Sequence, residues 1–159
     1  MLLQTSRLIL RPFQLQDYSH LHAHHPLTIV PHSNHETTLF DELDLFLSEA
    51  RKDTLEKQMQ IALVLKEKQD LIGDITVTYR NQSLALSFAT LPEFQRQGYM
   101  HEALTLFLPY LESRYPTLNI VCLVPKSNQI SQQLLKNLHF EQTQYVSDFD
   151  CHLYIRKNQ

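Results

Sequence analysis

Glycine is nearly missing from this chain: Gly73 and Gly98 are the only two among 159 residues. Ordinary usage is about 7%, so almost every turn must be made without one. The two that remain are expected where the backbone rejects a Cβ. The same scarcity removes the glycine-rich nucleotide loops. Neither G-x-G-x-x-G nor G-x-x-x-x-G-K-[ST] occurs, which leaves a dinucleotide fold and a P-loop unsupported. Cysteine is as rare. Cys122 and Cys151 lie in apolar or alternating stretches, which predicts reduced, buried thiols. The longest apolar runs, such as residues 61–65 and 120–124, fall far short of the ~20 residues of a membrane helix. Basic charge is not in excess either. Fourteen Lys and Arg against 17 Asp and Glu give −3 and a pI near 6.3, unsuited to a chain whose main partner is the nucleic-acid backbone. In the opening MLLQTSRLILRPF, Arg7 and Arg11 bracket the apolar stretch and no small-residue cleavage site follows. No signal peptide is expected, and the cytoplasm is the expected compartment.

What is present is ordinary globular material, 43% hydrophobic and 19% charged, at the length of one domain covering residues 1–159. A chain this long removes roughly 70% of its unfolded surface from water, enough for a core without disulfides or metal. Residues 7–13 read as a strand ended by Pro12, and residues 14–24 as a weak helix. Residues 25–35 read as a loop with two prolines. Thr38 and Asp41 resemble a capping box before a helical stripe that runs to about Leu55. Three alternating segments, residues 58–66, 71–79 and 83–90, predict an antiparallel meander. Met100, Leu104, Phe107, Leu108 and Leu111 mark a helix in which Pro109 predicts a kink or an early end, at ~3 kcal/mol. Residues 119–124 read as a strand buried on both faces. Residues 130–138 read as a helix capped by Ser127 or Asn128, and two strands, residues 140–147 and 151–155, close the chain. The order βααβββαβαββ makes residues 83–90 and 119–124 a parallel pair.

The stretch with most chemical content is residues 91–100, LPEFQRQGYM, which joins a strand to a helix start around Gly98. A helix N-terminus offers bare N–H groups and the positive end of the macrodipole, together an anion site. Charge-assisted hydrogen bonds of about 1.5–3 kcal/mol each would let a few amides hold a diphosphate, with Arg96 adding charge. A plain strand-to-helix turn meets the same spacing.

This combination, with QRQGYM opening a helix, ATLP before it and the N-x-x-S of Asn128 and Ser131, resembles the GNAT N-acetyltransferase superfamily. The opening TSRLILRPF with Asp17, and the LIG of residues 71–73, are similar to the branch containing ribosomal-protein N-terminal acetyltransferases. The resemblance spans residues 5–154. It implies an α/β fold with a mixed, mostly antiparallel central sheet, helices on both faces and a splayed parallel strand pair. It further implies acetyl-CoA as co-substrate and an amine as acceptor, with no metal, nucleic-acid or membrane partner. The family's diphosphate motif falls on Gln95, Arg96, Gln97, Gly98, Tyr99 and Met100. Ala89, Thr90 and Leu91 would pair with the pantetheine arm, Asn128 would contact that arm, and Ser131 would stand near the sulfur. Two departures are Met100, where glycine or alanine is usual and a core-facing side chain is required, and His139 in place of the glycine before Phe140. Histidine tolerates the left-handed conformation better than most residues.

The chemistry so implied is attack of a neutral amine on the thioester carbonyl, with a backbone donor facing the oxyanion. Neutrality at pH 7 costs about 4.6 kcal/mol for a lysine and about 1.1 kcal/mol for an α-amine. Residues 83–90 carry no carboxylate, which tilts the reading toward amines of low pKa. Asp74 is the candidate base, or else a solvated strand residue. Ser131 is the candidate donor to the leaving sulfur, or a local cap. Six of nine histidines fall in residues 20–35. They form a partly buried cluster or, through His20 and His24, a metal pair, and with Glu36 and Asp41 they would shape acceptor recognition. A non-catalytic coenzyme- or partner-binding module on the same fold, or a domain with no ligand, is the alternative.

Overall fold

Alternation of apolar and polar residues draws most of the chain into one sheet. The computed structural model describes residues 3–17 and 57–158. Its strands are β1 (Leu3–Gln4), β2 (Leu8–Pro12), β3 (Lys57–Leu65), β4 (Leu71–Arg80), β5 (Ser83–Thr90), β6 (Asn119–Pro125), β7 (Glu141–Val146) and β8 (Cys151–Arg156). They lie in the order β1-β2-β3-β4-β5-β6-β8-β7. Every neighbouring pair is antiparallel except β5 and β6. The mixed sheet and its single parallel pair are those expected. The two-residue strand β1, which pairs Leu3 with Leu10, is too short to leave a periodic signal and was not anticipated.

Two helices are described, α1 (Tyr99–Arg114) and α2 (Gln129–Asn137). Both bury their apolar residues in one core, where Met100, Leu104, Phe107, Leu108 and Leu111 of α1 and Leu135 of α2 meet Ile61, Leu63, Ile75, Val77, Leu84 and Leu86 of the sheet. A second cluster of Phe13, Ala62, Val64, Leu71 and Leu91 lies apart from it. The helices expected within residues 14–24 and 38–55, the loop between them, the histidine-rich stretch, Glu36 and Asp41 lie outside the described residues, apart from a helical turn at residues 15–17.

Pro109 does not end α1, which runs on to Arg114. The proline removes one backbone bond at ~3 kcal/mol. Leu108 and Leu111 straddle it, both wholly buried, and at ~1.5–3 kcal/mol each their burial offsets that loss. The expectation of a doubly buried β6 is also corrected. Ile120, Cys122 and Val124 are buried, but Leu123 is 44% exposed, because both described helices pack into a single core. The strand buried almost throughout is β4, central in the sheet.

The turns are made with side chains present. Asn81 and Gln82, at φ 50° and 59°, connect β4 to β5 as a two-residue hairpin, the geometry that suits the twist of its strands. His139 stands at φ 65° after α2. Its amide donates to Lys136 O (3.1 Å), and that of Phe140 to Leu135 O (2.9 Å), a full Schellman closure. Histidine thus takes the glycine's place with the glycine's backbone.

Candidate active site

β5 and β6 pair only from Ser83–Asn119 to Ala85–Val121. β5 continues to Thr90 and β6 to Pro125 with no further partner pairs between them, so a gap opens in the sheet. Leu91 N–H donates to Ile72 O (2.8 Å), and antiparallel pairing alternates along a strand. Ala89 therefore turns its main-chain groups to Asp74 on β4, while Phe88 and Thr90 turn theirs into the gap. Of the three residues expected along the pantetheine arm, Thr90 faces the gap and the Leu91 amide is already bonded.

Beyond Leu91 the chain makes a 3-10 turn, Pro92–Phe94, runs extended at Gln95 and becomes left-handed at Arg96 (φ 63°) and again at Gly98 (φ 81°), the residue before α1. A Cβ at Gly98 would find its nearest neighbour, Arg7 Nη2, 3.6 Å away, so glycine is required there by conformation rather than space. Gly73 is the opposite case: its Cβ would sit 2.4 Å from Ala89 O, and β4 can lie against β5 only without one. Among the described residues, the amides of residues 96–101 donate to no acceptor in the chain, and the first helical bond is Glu102 N–H to Gly98 O (3.0 Å). The carbonyls around them are held by side chains. Gln95 Nε2 donates to Thr90 O (2.8 Å), Gln97 Nε2 to Glu93 O (3.2 Å) and Arg7 Nη1 to Gln97 O (3.2 Å). Bare N–H groups with their carbonyls tied back suit an oxyanion. Met100 is buried in the core, as its departure from the small residue requires.

Arg7 was missed as a site residue. Its Nε donates to Glu102 Oε2 (2.7 Å), and its guanidinium stacks 4.3 Å from the Tyr99 ring centroid. Glu102 also accepts from the hydroxyls of Thr5 and Ser6 and from Arg7 N–H. Burial raises the Glu102 carboxyl, but the hydrogen bonds from Thr5 and Arg7 outweigh it and hold the group below its ordinary value. The partners are 95 residues apart in sequence, a distance no local pattern spans.

Asp74 is not a solvated residue. It is wholly buried and accepts from Gln60 Nε2 at 2.7 Å. Gln60, itself 2% exposed, was also missed; its only sequence signal is a polar side chain within β3. Asp74 lies across from Ala89, one residue from Thr90 in register. On the far side of the gap, Asn128 Oδ1 accepts from Ser131 N–H (3.1 Å) and caps α2. Asn128 is thus the cap, and the Ser131 hydroxyl has no partner among the described residues. Both cysteines are buried and unbridged. Among the described residues no three His, Cys, Asp or Glu converge as a metal site, and no helix is long and apolar enough to cross a membrane.

The chain matches the family described as Acetyltransferase (GNAT) domain over residues 7–141. A search of curated proteins finds no match. Among solved structures, ribosomal-protein-S5-alanine acetyltransferase from Vibrio fischeri is similar, at 17% identity and a TM-score of 0.68, covering 100% of this chain and 97% of that one. An acetyltransferase of the GNAT family from Bacillus anthracis gives 15% and 0.70, covering 99% of each. Spermidine N-acetyltransferase from Vibrio cholerae gives 18% and 0.63, covering 95% and 92%. At these identities the structures establish the shared fold, and the family match extends over most of the chain. The chain belongs to the GNAT acetyltransferase family and is an acyltransferase.

Proposed function

We propose that this protein moves an acetyl group from acetyl-CoA to a primary amine, a protein N-terminus or a small-molecule amine. The observation that carries this reading is the run of bare amides at residues 96–101 opening beside the gap between β5 and β6. A diphosphate fits that donor set. Gln95, Arg96, Gln97, Gly98, Tyr99 and Met100 would hold it through the main chain, with Asn128 at the mouth of α2 and Thr90 along the gap. In the reaction the amine nitrogen forms a bond to the acetyl carbon while the carbon–sulfur bond breaks. A main-chain N–H near Thr90 would meet the oxyanion, worth about 2.7–4 kcal/mol where such a donor is removed. The amine's proton passes to Asp74, directly or through water, and the thiolate takes the Ser131 proton as water returns one to that hydroxyl, so that Ser131 ends unchanged. Residue 90 ends a strand without a carboxylate, so an α-amine, whose neutral form costs about 1.1 kcal/mol at pH 7, is the favoured acceptor class.

The test is mass spectrometry of a peptide and small-amine panel incubated with protein and acetyl-CoA. Acetylated product is expected, with at least about tenfold less from Gly98→Val, in which a β-branched residue must take φ 81° at ~1–2 kcal/mol or more. A Gly98→Val protein as active as the parent overturns the reading. One observation favours a second reading, a non-catalytic acyl-CoA-binding module: Asp74 is wholly buried. That module would bind coenzyme and turn over no amine.

A further inference from the structure

We infer that Arg7 is a positioning residue for the coenzyme's diphosphate, acting through the loop it braces; this rests on the proposed role of residues 96–101. A cradle of amides binds an anion only while its carbonyls are kept out. Two of the three side-chain donors that hold nearby carbonyls, Gln95 and Gln97, belong to the loop itself. The third is Arg7, ninety positions away. Among the described residues it alone reaches Gln97 O, the carbonyl between the two left-handed residues Arg96 and Gly98.

A rotation of the peptide after Gln97 would turn that carbonyl into the cradle and the Gly98 amide out of it. Arg7 opposes the rotation from three directions. Nη1 holds Gln97 O, Nε holds Glu102 one turn into α1, and the guanidinium carbon sits over the Tyr99 ring. Lysine, a point charge on a flexible stem, cannot reproduce that planar fork. Glu102, fixed in turn by Thr5, Ser6 and the Arg7 amide, holds the guanidinium and offsets its charge. The contribution of Arg7 is therefore geometric more than electrostatic. The side chain is 43% exposed and lines a groove of about 550 Å³ that also reaches Gly98 and His101, so the brace and the loop face the same open volume.

The experiment compares calorimetric dissociation constants for coenzyme A and for pantetheine, which lacks the diphosphate, in the parent, Arg7→Met and Arg7→Lys. The parent is expected to prefer coenzyme A. Arg7→Met should weaken coenzyme A about tenfold or more and leave pantetheine within about twofold. Arg7→Lys, which keeps the charge, should lose a substantial part of the same preference. A thermal melt reports on folding, and because both ligands are measured on one protein a general loss of stability would weaken them together. Equal weakening of the two, or an Arg7→Lys protein with the parent's preference, overturns the positioning role while the loop reading stands. A parent that binds coenzyme A no better than pantetheine removes the loop reading itself, and this inference with it.

Discussion

Among the described residues, left-handed backbone falls mainly on those that carry a Cβ: Gln69, Asn81, Gln82, Arg96, His139 and Asp150 stand there beside Gly98. Each β-carbon in that region costs about 1–2 kcal/mol, less for Asn and Asp. Gln82, second in a two-residue hairpin turn, and His139, at the Schellman position, have the backbone that glycine prefers and are exposed. Gln82→Gly and His139→Gly are each expected to stabilise the fold by about 1 kcal/mol. That corresponds to a rise of about 2–4 °C in Tm for a chain of this size, to be read by calorimetry. A fall in Tm for both would show that their side chains hold something the backbone argument omits. Arg96 differs from them because the loop it shapes is the proposed coenzyme cradle, and relaxing it would change binding as well as stability.

Elements in this fold are tied by charged side chains at their ends. Arg11 of β2 makes a two-point contact with Asp17 (2.6 and 3.0 Å), whose Oδ2 also accepts from Gln14 N–H (2.8 Å), closing the helical turn that follows the strand. Arg156 of β8 reaches Glu112 of α1 (2.7 Å) and Leu138 O after α2 (2.6 Å), joining three elements. Asp17 and Arg11 are 6% and 18% exposed at their side chains, so removing one partner strands a largely dry charge. Breaking a buried pair costs about 3–5 kcal/mol, and the partial exposure of Arg11 lowers the expectation for Asp17→Ala to about 2–3 kcal/mol. Urea unfolding should show a lower midpoint with an unchanged slope. A loss under about 0.5 kcal/mol would mean that water serves Arg11 as well as the carboxylate does.

Across the whole molecule, one buried thiol couples stability to alkaline pH. Burial, with Cys151 nearby adding, pushes Cys122 from 9.0 up to about 12. The folded chain keeps this proton over an interval in which the unfolded chain has lost it. The stabilisation is therefore complete below pH 9 and declines as pH rises toward 12, by at most ~1.4 kcal/mol per pH unit. Denaturation midpoints taken from pH 8 to 10.5 should fall more steeply for the parent than for Cys122→Ala. Parallel lines would remove the coupling.

Seven of the eight described strands, the parallel crossover, the loop around Gly98, a cap for α2 at Ser127 or Asn128 and the tolerance of His139 for left-handed backbone were legible in the sequence. Two-residue β1 was not, and the structure chose Asn128 of the two caps. Each legible feature depends on periodicity or on residues a few positions apart, and local chemistry decides those. Tertiary structure alone decided the rest. Which faces of the sheet are covered settled that Leu123 is exposed and Asp74 buried, and strand register brought Gln60 against Asp74. Closure of the chain across 95 positions set Arg7 on Glu102 and under the Gly98 loop. Alternation along a strand marks which side chains share a face, but what packs against that face, and which distant charge meets which, depends on the free energy of the assembled core.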